Sequence, residues 1–285
     1  MDKMENLYVD TACSYVPLEI IHTMGFTPRR LLAPEPKETG LMPRNYCSYA
    51  RACVYPSGTV PVVFTTCCDG MRRCYDIRKS RGDTVFLLDL PRHLSNAHVE
   101  YYGGELRRLA RWLGELSGIA VPKRLSSRQP LLKKSPKETT TACKKTIILS
   151  GAVLPDDGIL QLINEYEATA IKVDFCTEQR SDLEAAYSEK EDEFLSLARA
   201  YLSKPPCPRM TGRRFPYIRE LIEQTGARGV ILYTIKFCDH GLYEIPLWRY
   251  LCSGLNIPFL HLEGEYKSGM PAQFHTRIQA FLETI

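Results

Sequence analysis

Short apolar, β-branched runs alternate with longer segments of helical spacing from residue 61 to residue 285. Continuous apolar runs of this kind are typical of strands that are covered on both faces, as in a parallel sheet. The strands predicted in this way are 61–66, 84–89, 146–150, 169–174, 229–234 and 257–262. The predicted helices are 17–24, 71–79, 99–116, 157–166, 182–202, 216–225, 242–253 and 271–283. This rhythm predicts an α/β fold with doubly wound, mostly parallel sheets.

The alternation is interrupted at residues 121–145, which are rich in Pro, Ser, Thr and Lys and indicate a linker. A chain of 285 residues is also long for one hydrophobic core. We therefore predict two Rossmann-like domains, residues 1–141 and 142–285, built from the same kind of α/β layer although no internal repeat is visible. Because such sheets bind ligands at strand-end loops, the predicted site lies where loops of both domains meet.

Composition excludes several classes of protein. Hydrophobic residues make up 44% and charged residues 25%, and the net charge of +4 is too small and too dispersed to predict a nucleic-acid partner. Apolar runs fall well short of the roughly 20 residues that span a bilayer, and the first residues do not form a secretory signal. We expect a cytoplasmic protein that binds neither nucleic acid nor membrane.

Eleven cysteines are the feature that bears most on chemistry. An odd number of cysteines in a cytoplasmic chain of this size disfavours a disulfide framework. Cys47, Cys68 and Cys238 lie in short polar turns, and the last two follow predicted strands. Thiolates that converge from strand ends can hold a soft metal centre such as an iron–sulfur cluster.

The individual cysteines differ in what they predict. Cys67 and Cys68 are adjacent, so we expect only one of them to face a shared site. Cys68 precedes Asp69-Gly70 and a predicted helix start, where the helix dipole stabilises a thiolate, and it is our choice. Cys74 and Cys252 lie on predicted helices and are expected to pack in the core.

Several common catalytic motifs are missing from the sequence. It contains no Gly-x-x-x-x-Gly-Lys-Ser/Thr loop and no Gly-x-Gly-x-x-Gly, so neither nucleotide hydrolysis nor a bound dinucleotide is indicated. His-Glu-x-x-His and Gly-x-Ser-x-Gly are also absent. Without Cys-x-x-Cys pairs, zinc ribbons and thioredoxin chemistry are poorly supported, although a zinc-binding regulatory protein remains an alternative.

The segments around the cysteines together resemble the 2-hydroxyacyl-CoA dehydratase D-component family, which includes benzoyl-CoA reductase subunits and double-cubane cluster reductases. The resemblance extends over nearly the whole chain. It is carried by Cys13-Ser-Tyr-Val-Pro-Leu-Glu19, Thr66-Cys67-Cys68-Asp69-Gly70, Phe175-Cys176-Thr177, Pro206-Cys207-Pro208, Phe237-Cys238-Asp239 and Leu262-Glu263-Gly264-Glu265-Tyr266.

The resemblance implies a 4Fe-4S cluster whose thiolate ligands are Cys47, Cys68 and Cys238. Three ligands leave one iron open, and in this family that iron is thought to meet the thioester carbonyl of an acyl-CoA substrate. One low-potential electron then makes a ketyl radical from which hydroxide leaves. Glu19 and Ser48 match positions near the family's substrate and cluster pocket, where a carboxylate serves as base or orients a water. Glu19 is alternatively a first-turn helix glutamate.

Two alternatives remain open within the family. Adding Cys13, Cys176 and Cys207 gives six thiols, the number that a double-cubane 8Fe-9S cluster needs, which implies a reductase of small molecules. The chain is alternatively a non-catalytic accessory subunit or cluster carrier. The implied partners are a homologous second subunit or a second copy of the chain, and an ATP-hydrolysing iron–sulfur activator that delivers the electron.

Overall fold

The computed structural model describes residues 7–31, 33, 35, 40–55, 58–122, 145–151, 153–173, 175 and 192–285. Its strands are β1 Tyr8–Thr11, β2 Thr27–Arg30, β3 Val62–Thr65, β4 Val85–Leu88, β5 Lys145–Gly151, β6 Ala168–Val173, β7 Gly229–Ile235 and β8 Phe259–Gly264. Its α-helices are α1 Leu18–Thr23, α2 Ser48–Val54, α3 Asp69–Ser80, α4 Asn96–Ser117, α5 Gly158–Glu165, α6 Glu193–Ser203, α7 Thr211–Thr225, α8 Asp239–Gly254 and α9 Ala272–Thr284, with a 3-10 helix at Pro208–Met210.

The strands form two four-stranded sheets in which every pairing is parallel. The strand orders are β2-β1-β3-β4 and β6-β5-β7-β8, so both sheets share one topology. In each, the chain builds to one side of its first strand and then crosses to the other side. The resulting switch points lie between β1 and β3 and between β5 and β7, where such folds bind ligands. The predicted fold class of two Rossmann-like α/β layers is confirmed.

Each sheet belongs to one compact unit, and the units interleave along the chain. Unit 1 comprises Met1–Leu32, Cys53–Ser135 and Gln179–Lys204, and unit 2 comprises Ala33–Ala52, Pro136–Glu178 and Pro205–Ile285. The single division that the sequence suggests, between residues 141 and 142, stays a prediction. Periodicity reports local structure, and it carries no information about which sheet a segment packs against.

The core of each unit forms where its helices cover the central strands. In unit 1, Val63 and Phe64 of β3 are fully buried together with Ile20 of α1 and Leu106 of α4. In unit 2, Ile148, Val230 and Leu232 pack with Trp248 and Cys252 of α8 in one cluster. None of the helices in the described ranges is both long enough and apolar enough to cross a lipid bilayer.

Several elements differ from the sequence predictions. Strands β1 and β2 and helix α2 were not predicted, since they are short and rich in polar residues. Helix α7 begins at Thr211, so Pro216, which was expected in the first turn, lies inside the helix. Helix α6 begins at Glu193, and residues 182–191 of its predicted extent lie outside the described residues.

Candidate cysteine site

Cys68 and Cys238 occupy the same position in the two units. Cys68 lies three residues after the end of β3 and caps α3, and Cys238 lies three residues after the end of β7 and caps α8. An aspartate follows each of them. Unsatisfied amide groups at a helix start favour a thiolate, although neither cysteine side chain makes a capping hydrogen bond among the described residues.

The turn before Cys238 carries backbone strain. Phe237 has a φ of 63°, in the left-handed region that costs a non-glycine residue about 1–2 kcal/mol. Its side chain remains 46% exposed, so burial of the ring does not explain the conformation. Strained residues of this kind cluster at functional sites, and this one fixes the approach of the chain to Cys238.

Within unit 2, Cys47 is a neighbour of Cys238. Cys47 directly precedes α2, and its sulfur accepts hydrogen bonds from the backbone amides of Tyr49 and Ala50. Burial raises the pKa of Cys47, and burial together with the nearby Cys47 thiol raises the pKa of Cys238 to about 12. Both groups are therefore neutral thiols at neutral pH, and binding of a metal ion would release their protons.

Unit 1 holds a second group of thiols at its switch point. Cys13 lies two residues after β1, and Cys67 and Cys68 follow the adjacent strand β3. The hydrogen bond with Cys67 and burial raise the pKa of Cys13. The hydrogen bond with Cys13 lowers the pKa of Cys67, but the hydrogen bond with Cys68 and burial raise it by more. Sequence reasoning set Cys67 aside, whereas the structure links it to both Cys13 and Cys68.

Glu19 lies in a buried polar network of unit 1. Its side chain is 2% exposed, and the hydroxyl of Tyr201 donates to its Oε2 at 2.7 Å. The same hydroxyl accepts from the backbone amide of Leu18 at 3.3 Å. The ammonium group of Lys204 lies 3.9 Å from the centroid of the Tyr201 ring and donates to the carbonyl of Ser14 at 3.0 Å. Helix α6 thus fixes one oxygen of Glu19.

Ser48 connects the Cys47 segment to the segment after β8. Its side chain is buried, and its Oγ accepts a 2.7 Å hydrogen bond from the backbone amide of Tyr266. The Tyr266 ring packs edge-on against Tyr49 with centroids 5.0 Å apart, and its hydroxyl donates to the carbonyl of Ala33 at 3.1 Å. Ser48 therefore helps to hold the start of α2, next to Cys47.

A polar pair at the strand ends is repeated in the two units. In unit 1, Thr66 and Asp89 directly follow β3 and β4, and the Thr66 hydroxyl donates to Asp89 at 2.5 Å. In unit 2, Lys236 and Glu265 directly follow β7 and β8, and their charged groups lie 3.6 Å apart. This correspondence was not visible in the sequence because the residue types differ.

Unit 2 also contains a cleft of about 250 Å³ at the carboxyl ends of its strands, the usual place for a ligand in such sheets. The Tyr233 hydroxyl, on its wall, donates to the carbonyl of Glu265 at 3.2 Å. The lining residues are Pro155, Asp156, Ile159, Tyr233, Lys236, Glu263, Gly264, Glu265, Lys267, Gly269, Met270, Pro271, Gln273 and Phe274.

The remaining cysteines, including Cys53 and Cys143, are either buried or lie outside the described residues. Cys74 and Cys252 are buried as predicted, with 0% and 1% of their surface exposed. Cys207 is buried in unit 2 just before the 3-10 helix, and Cys176 lies outside the described residues.

The donor set is suited to an iron–sulfur cluster. Two of the three predicted ligands, Cys47 and Cys238, are neighbouring, partly buried thiols, and the third, Cys68, has the same strand-to-helix position as Cys238. Arg51 adds a cation beside Cys47. Across the ranges that the structure describes, no three His, Cys, Asp or Glu side chains are grouped as ligands of a metal ion. The set of Cys47, Cys68 and Cys238 stays a prediction.

Comparison with known proteins agrees with the sequence resemblance. A benzoyl-CoA reductase subunit of Thauera aromatica is 22% identical over 344 aligned positions, which cover 95% of this chain and 89% of that protein. The beta subunit of lactoyl-CoA dehydratase of Anaerotignum propionicum is 23% identical over 144 positions, covering 50% of this chain and 38% of that protein. The (R)-phenyllactyl-CoA dehydratase beta subunit of Clostridium sporogenes is 25% identical over 147 positions, with 50% and 38% coverage.

The family model described as 2-hydroxyglutaryl-CoA dehydratase, D-component, matches residues 13–127 and 125–285. These two matches together span the cysteine segments of both units. The chain therefore belongs to the 2-hydroxyglutaryl-CoA dehydratase D-component family.

Proposed function

We propose that this protein is the iron–sulfur subunit of an enzyme of the 2-hydroxyacyl-CoA dehydratase type, which removes water from a 2-hydroxyacyl-CoA after one-electron reduction. One observation carries the proposal: a cysteine caps the helix after the third strand in both units, and a second thiol adjoins it in unit 2. Membership of a family of acyl-CoA dehydratase and reductase subunits supports this class of substrate.

Cys47, Cys68 and Cys238 are the proposed ligands of a 4Fe-4S cluster. When bound, the cluster supplies one-electron chemistry and an iron with an open position for the substrate oxygen. The protein holds the ligands at helix starts, and at Cys47 the backbone amides of Tyr49 and Ala50 donate to the sulfur and stabilise negative charge. Cys47 and Cys238 are partly buried, which strengthens these interactions relative to open water.

Glu19 and Ser48 have different roles in this proposal. Glu19 is the carboxylate that accepts a proton or orients a water, and Tyr201 holds its Oε2 in place. Ser48 acts as a positioning residue, because its hydroxyl ties the backbone of Tyr266 to the start of α2.

The proposed partners follow from the reaction. The names of two relatives, beta subunits of lactoyl-CoA and (R)-phenyllactyl-CoA dehydratases, make them parts of larger assemblies. We propose that a second, homologous subunit or a second copy of this chain completes the enzyme. The low-potential electron comes from an ATP-hydrolysing iron–sulfur activator, since this sequence contains no phosphate-binding loop of its own.

The test is the response of the reduced protein to acyl-CoA. The chain is purified and loaded with iron and sulfide without oxygen, reduced by one electron, and mixed with 2-hydroxyacyl-CoA thioesters with and without the second subunit. We expect a change in the electron paramagnetic resonance spectrum and formation of the enoyl-CoA. A cluster that responds to no acyl-CoA under either condition would instead indicate an accessory cluster carrier, and a colourless zinc protein would exclude both.

A double-cubane reductase is the second candidate, because Cys13 and Cys67 place additional thiols beside Cys68 in unit 1. The two candidates differ in metal content. A single cubane predicts about four iron per chain, and a double cubane predicts about eight.

A further inference from the structure

Arg51 is a mostly buried cation close to the thiols of unit 2. It lies one helical turn after Cys47, and its backbone amide donates to the Cys47 carbonyl at 2.9 Å. Its side chain is 12% exposed, and its Nη2 lies 3.9 Å from Glu265 Oε2, beyond hydrogen-bond distance. Its Nε is buried and has no hydrogen-bond partner among the described residues.

A buried N–H group without a partner costs about 1–3 kcal/mol, and more when the group is charged, so native proteins rarely keep one without a reason. The neighbouring groups limit what the missing partner can be. The Arg51 charge lowers the pKa of the Cys47 thiol and the Asp239 charge raises it, and the Cys47 thiol raises the pKa of Cys238. A neutral thiol is a weak acceptor, whereas sulfur that carries negative charge is a strong one.

We propose that Arg51 is a positioning residue that donates its Nε–H to a sulfur atom of the iron–sulfur centre held by Cys47 and Cys238, and that it makes this centre easier to reduce. The inference rests on the proposed function. A hydrogen bond from a cation to sulfur stabilises the form with more negative charge, and the reduced centre carries one more electron than the oxidised centre. Arg51 stays protonated throughout, so no proton transfer accompanies the electron.

The experiment compares Arg51→Gln and Arg51→Lys with wild type in anaerobically loaded protein. Arg249→Gln is the matched control, because Arg249 is an exposed arginine of the same unit, on α8. Iron and sulfide per chain are measured first. The ratio of reduced to oxidised centre is then followed by electron paramagnetic resonance across a redox titration. Purely structural damage to α2 would not shift this ratio consistently in one direction.

We expect Arg51→Gln to retain iron and to lower the ratio of reduced to oxidised centre about tenfold at a given potential, which corresponds to about 59 mV for a one-electron couple. Arg51→Lys should recover part of this loss, because it keeps the charge but not the planar set of donors. Arg249→Gln should match wild type.

The outcomes separate this inference from the proposed function. Wild type that takes up no iron overturns the proposed function, and this inference with it. Wild type that takes up iron, with an unchanged ratio in Arg51→Gln, overturns this inference alone, even if acyl-CoA binding weakens. If Arg51→Gln loses its iron, Arg51→Lys decides: an intermediate ratio supports the inference and a wild-type ratio overturns it.

Discussion

Units 1 and 2 share a strand order and one cysteine position, but they differ in the residues around it. After the third strand, Cys68 in unit 1 corresponds to Cys238 in unit 2. Two residues after the first strand, however, unit 1 has Cys13, whereas unit 2 has the buried apolar Val153. The shared topology thus explains why both units have a cysteine after the third strand. The thiol of Cys13, in contrast, belongs to unit 1 only, because unit 2 has Val153 at that position.

The same contrast continues along the helices. Six residues after the shared cysteine, unit 1 has the buried Cys74 and unit 2 has the buried Glu244, which is paired with Arg214. The second residue of α1 is Glu19, and that of α5 is Ile159. Unit 1 therefore has a buried carboxylate on its first helix, α1. Unit 2 instead has a buried ion pair between α7 and α8, the helix that follows Cys238.

The largest expected effect comes from breaking that ion pair. Arg214 is fully buried, and it donates to Glu244 at 2.9 Å, to Ser150 at 3.1 Å and to the carbonyl of Pro206 at 3.2 Å. Arg214→Ala leaves the Glu244 charge buried without its cation, and we expect a loss of about 3–5 kcal/mol in the free energy of unfolding. Urea unfolding monitored by Trp248 fluorescence, in a Trp112→Phe background, measures it.

The control for this prediction replaces the pair by apolar and small residues. Arg214→Met combined with Glu244→Cys installs the residue type that unit 1 has at the helix position, and it leaves no unpaired charge. The double variant should be more stable than Arg214→Ala. A loss of less than about 1 kcal/mol in the free energy of unfolding of Arg214→Ala would mean that the Glu244 charge is not held in a buried site as the structure indicates.

A smaller effect is expected from the carboxylate network of unit 1. Tyr201→Phe removes the hydroxyl that donates to Glu19, and hydrogen bonds to charged groups contribute about 1.5–3 kcal/mol. Burial and the nearby Glu19 raise the pKa of Tyr201 above its usual value of about 10. The neutral hydroxyl therefore stabilises the fold fully below about pH 10, and this contribution is lost as the pH rises toward the folded pKa.

The pH dependence distinguishes this network from general alkaline unfolding. Urea titrations monitored by circular dichroism should show that wild type loses stability more steeply than Tyr201→Phe above about pH 10. Tyr250→Phe, which alters a side chain that is 81% exposed, should follow wild type. Parallel curves for wild type and Tyr201→Phe would mean that Tyr201 titrates normally in the folded protein.

The smallest effect on stability is expected when Cys13 of unit 1 is replaced by valine, the residue that unit 2 has at the equivalent position, Val153. Cys13→Val fills a similar volume and should cost less than about 1.5 kcal/mol. Iron content should remain about four per chain if Cys47, Cys68 and Cys238 are the ligands. A fall to about half of the wild-type iron would support the double cubane instead, with Cys13 among its ligands.

The strands that the sequence predicted correctly are those whose apolar runs are long enough to stand out. Strands β1 and β2 have four residues each and include Asp10 and Arg29, which form an ion pair at 2.6 Å. Their polarity hides the period on which strand prediction depends. The position of Cys68 before a helix was recognisable because strand, turn and helix are contiguous in the sequence, whereas the helix after Cys238 begins at Asp239 and not at the predicted residue 242.

Contacts between distant residues could not be predicted in the same way. Glu19 and Tyr201 are separated by 182 positions, and their hydrogen bond depends on how α6 packs in unit 1. The Cys13–Cys67 contact depends on the pairing of β1 with β3, and β1 was not predicted. A local sequence pattern does not show how two strands are aligned with each other. Cys67 was therefore overlooked, although it lies next to a predicted ligand.

The central claim is that Cys68 and Cys238, the equivalent cysteines of the two units, hold one iron–sulfur centre together with Cys47. The amounts of iron and acid-labile sulfide per chain in anaerobically purified protein test this claim most directly. Wild type should contain about four of each. Cys47→Ser, Cys68→Ser and Cys238→Ser should each lose most of both, while Cys252→Ala, a buried core cysteine, should keep them. Full iron and sulfide in all three serine variants would contradict the account.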